Sequence, residues 1–136
     1  LRVDATAAPS SLLRLSCQAW RLTQSVRRAT SGLSHAAQRR LNAQLDFFER
    51  ELRDTLLENS IRIDDLSGLT FDPGMPAKAL NARDFEAGDK LRVDFMIEPL
   101  LVASDDGSVV RQATVMLRRF GESAGDGTTD MEERNG

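Results

Sequence analysis

The chain contains no tyrosine, one cysteine and one histidine, and aromatic residues make up only 5% of its 136 residues. Cys17 cannot form a disulfide within the chain, so we expect a reducing compartment and interpret the thiol as a small buried hydrophobe. Cys17 and His35 are too few for a four-ligand zinc site, and they provide no nucleophile and base set for covalent catalysis. The sequence therefore predicts no enzyme activity, no metal and no cofactor.

Long apolar runs and a strong excess of one charge are also missing. The formal net charge is −3 with 29% charged residues, which favours neither nucleic acid nor a membrane surface as a partner. No run is long enough to span a membrane, and the first residues lack the apolar core of a signal peptide. We therefore expect a cytoplasmic protein. The chain begins with Leu1, which leaves open whether it is a fragment or a processed form.

Proline is scarce, and two of the four prolines stand with two glycines in one stretch, residues 67–76. Apolar residues recur with a helical period before this stretch and with a strand period after it. Glycine and proline both interrupt regular elements, so the stretch is predicted to be a helix-to-sheet junction. The junction residues are Gly68, Phe71, Asp72 and Pro73. The predicted fold class is α+β, with an antiparallel helix pair followed by a small, mainly antiparallel β domain.

The first predicted helix starts at residues 9–11, where a serine hydroxyl can cap free amides. Apolar residues then recur in alternating steps of three and four, which is the pattern of a heptad seam. The seam consists of Leu12, Leu15, Ala19, Leu22, Val26, Ala29 and Leu33. Trp20 lies one step off the seam and is interpreted as a flank of a helix interface.

A second helix is predicted from a cap at Ser34 to about Ser60, and the short loop before it makes the two helices antiparallel neighbours. Its apolar stripe is Leu41, Leu45, Phe48, Leu52, Leu56 and Asn59, widened by Phe47 and Leu57. Stripes this wide predict that two copies associate into a four-helix bundle. The predicted dimer interface is Leu12, Leu15, Ala19, Leu22, Val26, Leu45, Phe48 and Leu52.

The β region shows a short strand at 77–80 and an alternating strand at 91–98, in which Leu91, Val93, Phe95 and Ile97 share one face. Turn signals occupy 85–89 and 106–107, and Pro99 ends or kinks the alternating strand. Residues 109–117 are predicted to be one strand, central in the sheet. The chain thus divides into a flexible N-terminus (1–8), a helical dimerisation region (9–61), a small β domain (62–120) and a disordered tail (121–136).

Taken together, the order of elements resembles the GrpE family, the nucleotide exchange factors of DnaK-type chaperones, over residues 12–118. Two short motifs carry most of the resemblance. One is Gly68-x-x-Phe71-Asp72-Pro73, and the other is Val110-Arg111-x-Ala113-x-Val115. A turn that closes in Ala87-Gly88-Asp89 stands between them.

The resemblance implies a homodimer whose β domain binds the nucleotide-binding domain of a DnaK-type chaperone and opens its cleft, so that ADP leaves. Adenine nucleotide would be bound only through the partner, and the protein would act by preferring the open state of the chaperone. Arg111 matches the family's motif arginine and is expected to contact the chaperone. The alternative is an arginine whose stem packs on the sheet.

The other predicted partner-binding residues are Met75, Pro76 and Met96. Methionines can form an adaptable binding face, although scattered methionines more often fill gaps in a core. Met96 is expected near the surface because it falls on the more polar face of its predicted strand. Pro76 stands where the family carries a histidine.

Other departures from the family pattern leave a second function open. Glu98-Pro99-Leu100 replaces a Lys-Gly-Tyr sequence, and Ser108 replaces a basic residue. The family's long N-terminal coiled coil is absent or lies outside this chain. The alternative function is therefore a GrpE-like dimeric scaffold or adaptor that has lost exchange activity. The adjacent carboxylates at 64–65 and 105–106 are interpreted as solvated turns and not as acid–base or metal pairs.

Overall fold

A computed structural model describes residues 9–121, and it confirms an α+β fold in which a long helix pair is followed by small sheets. The predictions for 1–8 and 122–136 concern residues outside the described range. The helices are α1 (Ser10–Ala29) and α2 (His35–Glu58). The strands are β1 (Ile61–Asp64), β2 (Ala77–Ala79), β3 (Leu91–Glu98), β4 (Leu100–Ala103), β5 (Val109–Arg111) and β6 (Ala113–Arg119).

The described chain forms two compact units. The first combines the helices and β1 with Leu101–Arg111. The second combines Asp65–Leu100 with the described residues from Gln112 onward. The hairpin of β4 and β5, apart from Leu100, therefore belongs to the helical unit.

The two helices begin in different ways. Ser34 caps α2 as predicted, because its Oγ accepts a hydrogen bond from the Ala37 N–H at 3.2 Å. The predicted hydroxyl cap of α1 is wrong: Pro9 is the N-cap and no side chain caps the helix. The Pro9 carbonyl accepts from the N–H groups of Leu12 and Leu13 at 3.0 and 3.2 Å, and the proline ring fixes φ at a helix-compatible −59°.

A single 3-10 turn, Thr30–Gly32, connects α1 to α2, and the two helices run antiparallel as predicted. Arg27 near the end of α1 forms ion pairs with Asp46 at 3.1 Å and Glu49 at 2.9 Å. Gln24, one turn earlier, donates to the same Glu49 carboxylate at 2.9 Å. These contacts fix the register of the pair.

The face of α1 that the protein buries differs from the predicted heptad seam. Its fully buried residues are Ser16, Cys17, Trp20 and Thr23. Trp20 is 5% exposed and lies under the Arg53 guanidinium, 5.6 Å from the ring centroid, so it is a core residue of this unit. A different stripe of α1, which is rich in small polar residues, thus packs inside the unit.

The change from helix to strand occurs at Ser60, so the predicted helix-to-sheet junction at 67–76 is wrong. Ser60 has a φ of 63°, which ends the helix in a left-handed conformation, and its N–H donates to the Leu57 carbonyl at 2.9 Å. Strand β1 follows directly. Because β1 is only four residues long, its alternation is too short to be seen as a period in the sequence.

Residues 68–71 instead run beside β3 in the second unit. The N–H groups of Gly68 and Phe71 donate to the carbonyls of Val93 and Leu91, both at 2.8 Å. Gly68 has a φ of +84°, which a residue with a side chain rarely adopts. At the end of this segment, Asp72 accepts from the Gly74 N–H at 3.1 Å across Pro73 and closes a turn.

Two three-stranded sheets are present, with strand orders β1-β4-β5 and β2-β6-β3. The predicted strand at 109–117 is interrupted at Gln112: β5 is an edge strand of the first sheet and β6 is central in the second. The predicted turn at Asp106-Gly107 is confirmed, since Gly107 has a φ of +75° and its N–H donates to Ala103 at 2.8 Å. The second sheet is mixed, because β2 pairs with β6 in parallel and β3 pairs with β6 in the antiparallel direction.

A β-bulge changes the phase of alternation in β3. Val93 lies opposite Leu117, but Met96 lies opposite Val115, with a register shift between Val93 and Phe95. The extra residue places Met96 on the same buried side as Val93 and leaves Phe95 only half-buried. A strict period of two therefore assigns the wrong face to Met96, and a second register shift follows between Met96 and Glu98.

Asn81 extends the pairing of β6 by acting like a piece of strand backbone. Its Nδ2 donates to the Leu117 carbonyl and its Oδ1 accepts from the Leu117 N–H, both at 2.9 Å.

We predict that Asn81→Ala destabilises the protein by about 1–3 kcal/mol, because two backbone groups lose their partner. Urea unfolding measures the change. Lys78→Ala, at an exposed position of β2, is the control, and an equal effect of both substitutions would contradict the prediction.

Candidate functional site

The helix pair carries an apolar groove between α1 and α2, with a cavity volume of ≈ 370 Å³. Its walls are Leu12, Leu15, Ser16 and Ala19 of α1 and Phe48, Glu51, Leu52 and Thr55 of α2. Apolar side chains form most of this surface. The structure thus brings together five residues that the sequence assigned to the dimer interface, namely Leu12, Leu15, Ala19, Phe48 and Leu52.

The remaining three predicted interface residues lie further along the helices. Leu22 is 66% exposed, close to the 67% exposure of Leu15 in the groove wall. Val26 and Leu45 are half-buried. Leu15, Leu22 and Val26 follow steps of seven and four, so they lie on one face of α1.

A second, shallower groove lies at the turn end of the helix pair. It has a volume of ≈ 290 Å³ and is lined by Leu33, Ala37, Arg40, Leu41 and Gln44. Ala37, Leu41 and Phe48 are separated by four and seven residues, so the two grooves use the same side of α2. Apolar residues of both grooves thus lie along one side of α2, with Arg40 and Gln44 among them at the turn end.

Exposed leucines at helical spacing are unusual for a monomeric surface, where large contiguous apolar patches generally mark an interaction site. The cause lies in the burial described above. Because Ser16 and Thr23 of α1 and Thr30 of the following turn are buried, Leu15 and Leu22 of the seam face outward. The groove is therefore the strongest candidate for a binding surface in the described part of the chain.

The four predicted partner-binding residues are divided between the two compact units. Arg111 belongs to the helical unit, whereas Met75, Pro76 and Met96 belong to the other. Arg111 is exposed and lies opposite Leu101 in the β4–β5 hairpin. The four residues therefore do not form a surface within either unit.

The expected surface position of Met96 is wrong. Its side chain is only 2% exposed, because the bulge in β3 turns it toward the buried side of the sheet. Met75 and Pro76 are half-buried. Met75 Sδ accepts from the Asp72 N–H at 3.4 Å, and the Pro76 carbonyl accepts from the Ala113 N–H at 3.0 Å.

The adjacent carboxylates take part in local ion pairs and turns. The Arg62 guanidinium donates to Asp64 at 2.7 Å, and this hydrogen bond lowers the pKa of Asp64. The Ser108 backbone N–H donates to Asp106 at 2.9 Å and lowers the pKa of that carboxyl. Within residues 9–121, no group of three or more His, Cys, Asp or Glu side chains could hold a metal ion.

Two arginine–aromatic stacks in the second unit were not predicted from the sequence. The Arg92 guanidinium lies 4.3 Å from the centroid of the Phe120 ring, and that of Arg119 lies 5.0 Å from the Phe85 ring. Arg119 also approaches Asp89 at 3.4 Å. The members of each stack are far apart in sequence, so no periodicity or motif indicates them.

No family model, curated protein or solved structure matches the sequence. None of the helices in the described range is long and apolar enough to cross a membrane. The protein thus has an α+β fold and an exposed apolar groove on its helix pair.

The burial of Met96 and the exposure of Arg111 predict different effects of substitution on stability at the two positions. Met96→Asp should lower the free energy of unfolding by about 3 kcal/mol or more, because a carboxylate would enter an apolar interior. Arg111→Ala should change it by less than about 1 kcal/mol, since the position is exposed. Urea unfolding followed by circular dichroism measures both. Equal stability of the two variants would contradict the prediction.

Proposed function

We propose that the protein is a homodimeric, GrpE-like nucleotide exchange factor, acting in the cytoplasm on a DnaK-type chaperone without enzymatic activity of its own. The observation that carries the proposal is the exposed apolar groove of the helix pair, which precedes in the chain the region from Gly68 to Val115 where the two family-like motifs lie. The groove supports dimerisation. The motifs support the identity of the partner.

Dimerisation through the helices follows from the cost of leaving the groove in water. Burial of apolar surface stabilises by about 25 cal/mol per Å², and Leu15 and Leu22 each leave about two thirds of their surface exposed. A second helix pair offers the same leucine-lined side and can cover this surface by helix packing, which gives a four-helix bundle. The dimeric four-helix bundle predicted from the sequence is thus part of this proposal.

We predict that Leu22→Asp converts the dimer to a monomer while the helices stay formed. The substitution places a charge in the interface but costs the monomer little, because the side chain is 66% exposed there. Light scattering at tens of micromolar, together with circular dichroism, measures both properties.

Val109→Asp is the matched control for this substitution. Val109 is also exposed, but it lies in β5 and lines neither groove, so its substitution should leave the dimer intact. A wild-type monomer with intact helices, or a Leu22→Asp protein that remains dimeric, would contradict the proposal of a helical dimer.

Exchange activity would work by differential binding. A protein that binds the open, nucleotide-poor state of the chaperone more tightly than the closed state shifts the chaperone toward the open state, so that ADP leaves faster. Arg111 is the proposed contact, because it matches the family motif and is exposed on the short edge strand β5. Met96 is not part of the proposed contact, since it is buried.

The alternative function is a dimeric scaffold or adaptor without exchange activity. Two positions that depart from the family pattern take part in bonding within the second unit. Thr114 Oγ1 donates to Glu98 at 3.3 Å, and the Pro76 carbonyl accepts from Ala113. Positions whose atoms bond inside the unit are less suited to contact a chaperone, and this favours the scaffold function.

Release of labelled ADP from a DnaK-type chaperone distinguishes the two functions. We predict that the wild-type protein accelerates release and that Arg111→Ala weakens chaperone binding by about tenfold, as expected for an interface arginine. Arg62→Ala, at an exposed arginine of the same unit, is the control.

Two outcomes would contradict these expectations separately. If the wild-type protein neither binds the chaperone nor accelerates release, the scaffold function replaces the exchange function. If the wild-type protein is active and Arg111→Ala is equally active, Arg111 is not a contact.

A further inference from the structure

The α2 residues that line the two grooves form one row along the helix. The row consists of Ala37, Leu41, Gln44, Phe48, Glu51 and Thr55, with Arg40 and Leu52 at its edges. Its steps are alternately four and three residues, and since a helix turns by about 100° per residue, the row stays within an arc of about 80°. These steps read the same from either end. The row therefore matches itself on a second α2 that runs in the opposite direction.

Two charged residues line the grooves, Arg40 and Glu51, and both lie on the same edge of the row. This edge faces away from α1, since both side chains are exposed whereas Leu41 and Leu52 on the other edge are half-buried. Arg40 and Glu51 are about 16 Å apart along the axis, which is too far for an ion pair within one chain. No residue three or four positions from either one carries the opposite charge.

The other charges of the helix pair lie away from this row. Glu58 is on the edge of Arg40 and Glu51 but beyond the end of the grooves. Six more charged residues of α2 lie about 100° or more around the helix from the middle of the row, namely Arg39, Asp46, Glu49, Arg50, Arg53 and Asp54. On α1, three arginines lie on the side opposite the groove, namely Arg14, Arg21 and Arg28.

A second copy can cover the row by packing α2 on α2 about a twofold axis perpendicular to the helices. The axis then passes near residue 46, midway along the row, so that Gln44 of one copy lies level with Phe48 of the other. Arg40 comes within one residue, about 1.5 Å along the axis, of the level of Glu51 of the other copy. Both lie on one edge, because this rotation keeps each edge on its own side of the bundle. Opposite charges thus meet twice.

A twofold axis parallel to the helices would instead pack α2 on α1 and preserve the height of every residue. Gln24 donates to Glu49 at 2.9 Å, so these two residues mark one level of the helix pair. Two residues further along α2, Glu51 would face Leu22 of the other copy, and Arg40 would face the uncharged turn Thr30–Gly32. Both charges would leave water without a partner, which is unfavourable.

The antiparallel arrangement also covers the exposed leucines. The first groove, beside residues 48–55, would face the shallower groove, beside residues 37–44, of the other copy. On α1 the same axis passes near Arg27, which pairs with Asp46 at 3.1 Å. Leu22 of one copy then lies close to the level of Leu33 of the other, and these side chains are 66% and 44% exposed. Their burial would supply affinity.

We infer that the apolar side of the helix pair binds a second copy of this chain with α2 antiparallel to α2, and that Arg40 of each copy forms an ion pair with Glu51 of the other. The inference rests on the proposed dimer and adds its orientation and register. Because the two ion pairs lie at the rim, they would contribute orientation more than affinity.

Charge reversal at the two positions tests the inference, with Arg40→Glu and Glu51→Arg made singly and together. Each single variant should dimerise at least about tenfold more weakly than the wild type in low salt, because both interchain pairs become repulsive. The double variant restores both pairs with the charges exchanged, so its affinity should be within about threefold of the wild type. The single changes shift the net charge in opposite directions, so a general charge effect could not weaken both.

Analytical ultracentrifugation measures the dissociation constants, and circular dichroism verifies that each variant is helical. Arg39→Glu is the matched control. Arg39 is exposed and adjacent to Arg40, but it lies on the side of α2 away from the row. Its substitution should leave dimerisation nearly unchanged. In about 1 M salt, where charges are screened beyond about 3 Å, the differences among all variants should shrink.

The failure of this inference and the failure of the proposed dimer give different results. A wild-type monomer would overturn both. A wild-type dimer whose single variants dimerise normally, or whose double variant is not restored, would overturn the ion pairs and the antiparallel register while the dimer stands.

Discussion

The structure depends on which of two stripes of α1 is buried in the interior of the helical unit. The stripe that is buried contains hydroxyl groups, and they are satisfied within the helix: Thr23 Oγ1 donates to the Ala19 carbonyl at 2.8 Å and Thr30 Oγ1 to Arg27 at 2.9 Å. Hydroxyls bonded in this way can leave water at little cost. The leucine seam has no comparable way to be satisfied in water, so its exposure leaves a driving force for association.

The sequence predicts those features that follow from local chemistry or from a long period. The cap at Ser34, the turn at Asp106-Gly107 and the antiparallel helix pair are examples, since each depends on residues close in sequence. Periodicity also identifies the leucine seam correctly as a stripe. It cannot determine what covers a stripe, and for this reason the identity of the buried face of α1 was not predictable.

The errors in the β region have a shared physical origin. Alternation assumes that a strand is long and regular, whereas β1 has four residues, β3 contains a bulge, and the run 109–117 is interrupted at Gln112. The first register shift in β3 adds one residue and reverses the faces that follow it, which moved Met96 from the expected surface to the interior, and a second shift follows between Met96 and Glu98. The exposure of Arg111 agreed with expectation because an edge strand of three residues buries little.

Affinity and orientation have separate sources on this surface. An apolar groove is attractive in any orientation that covers it, since burial of apolar area has no direction. Charged side chains are directional, and they are distributed unequally here: those of α1 are all positive, whereas α2 carries both signs. In the proposed dimer, the leucines would thus supply most of the binding free energy, and polar side chains at the groove, such as Glu51 and Thr55, would restrict how the two copies are oriented.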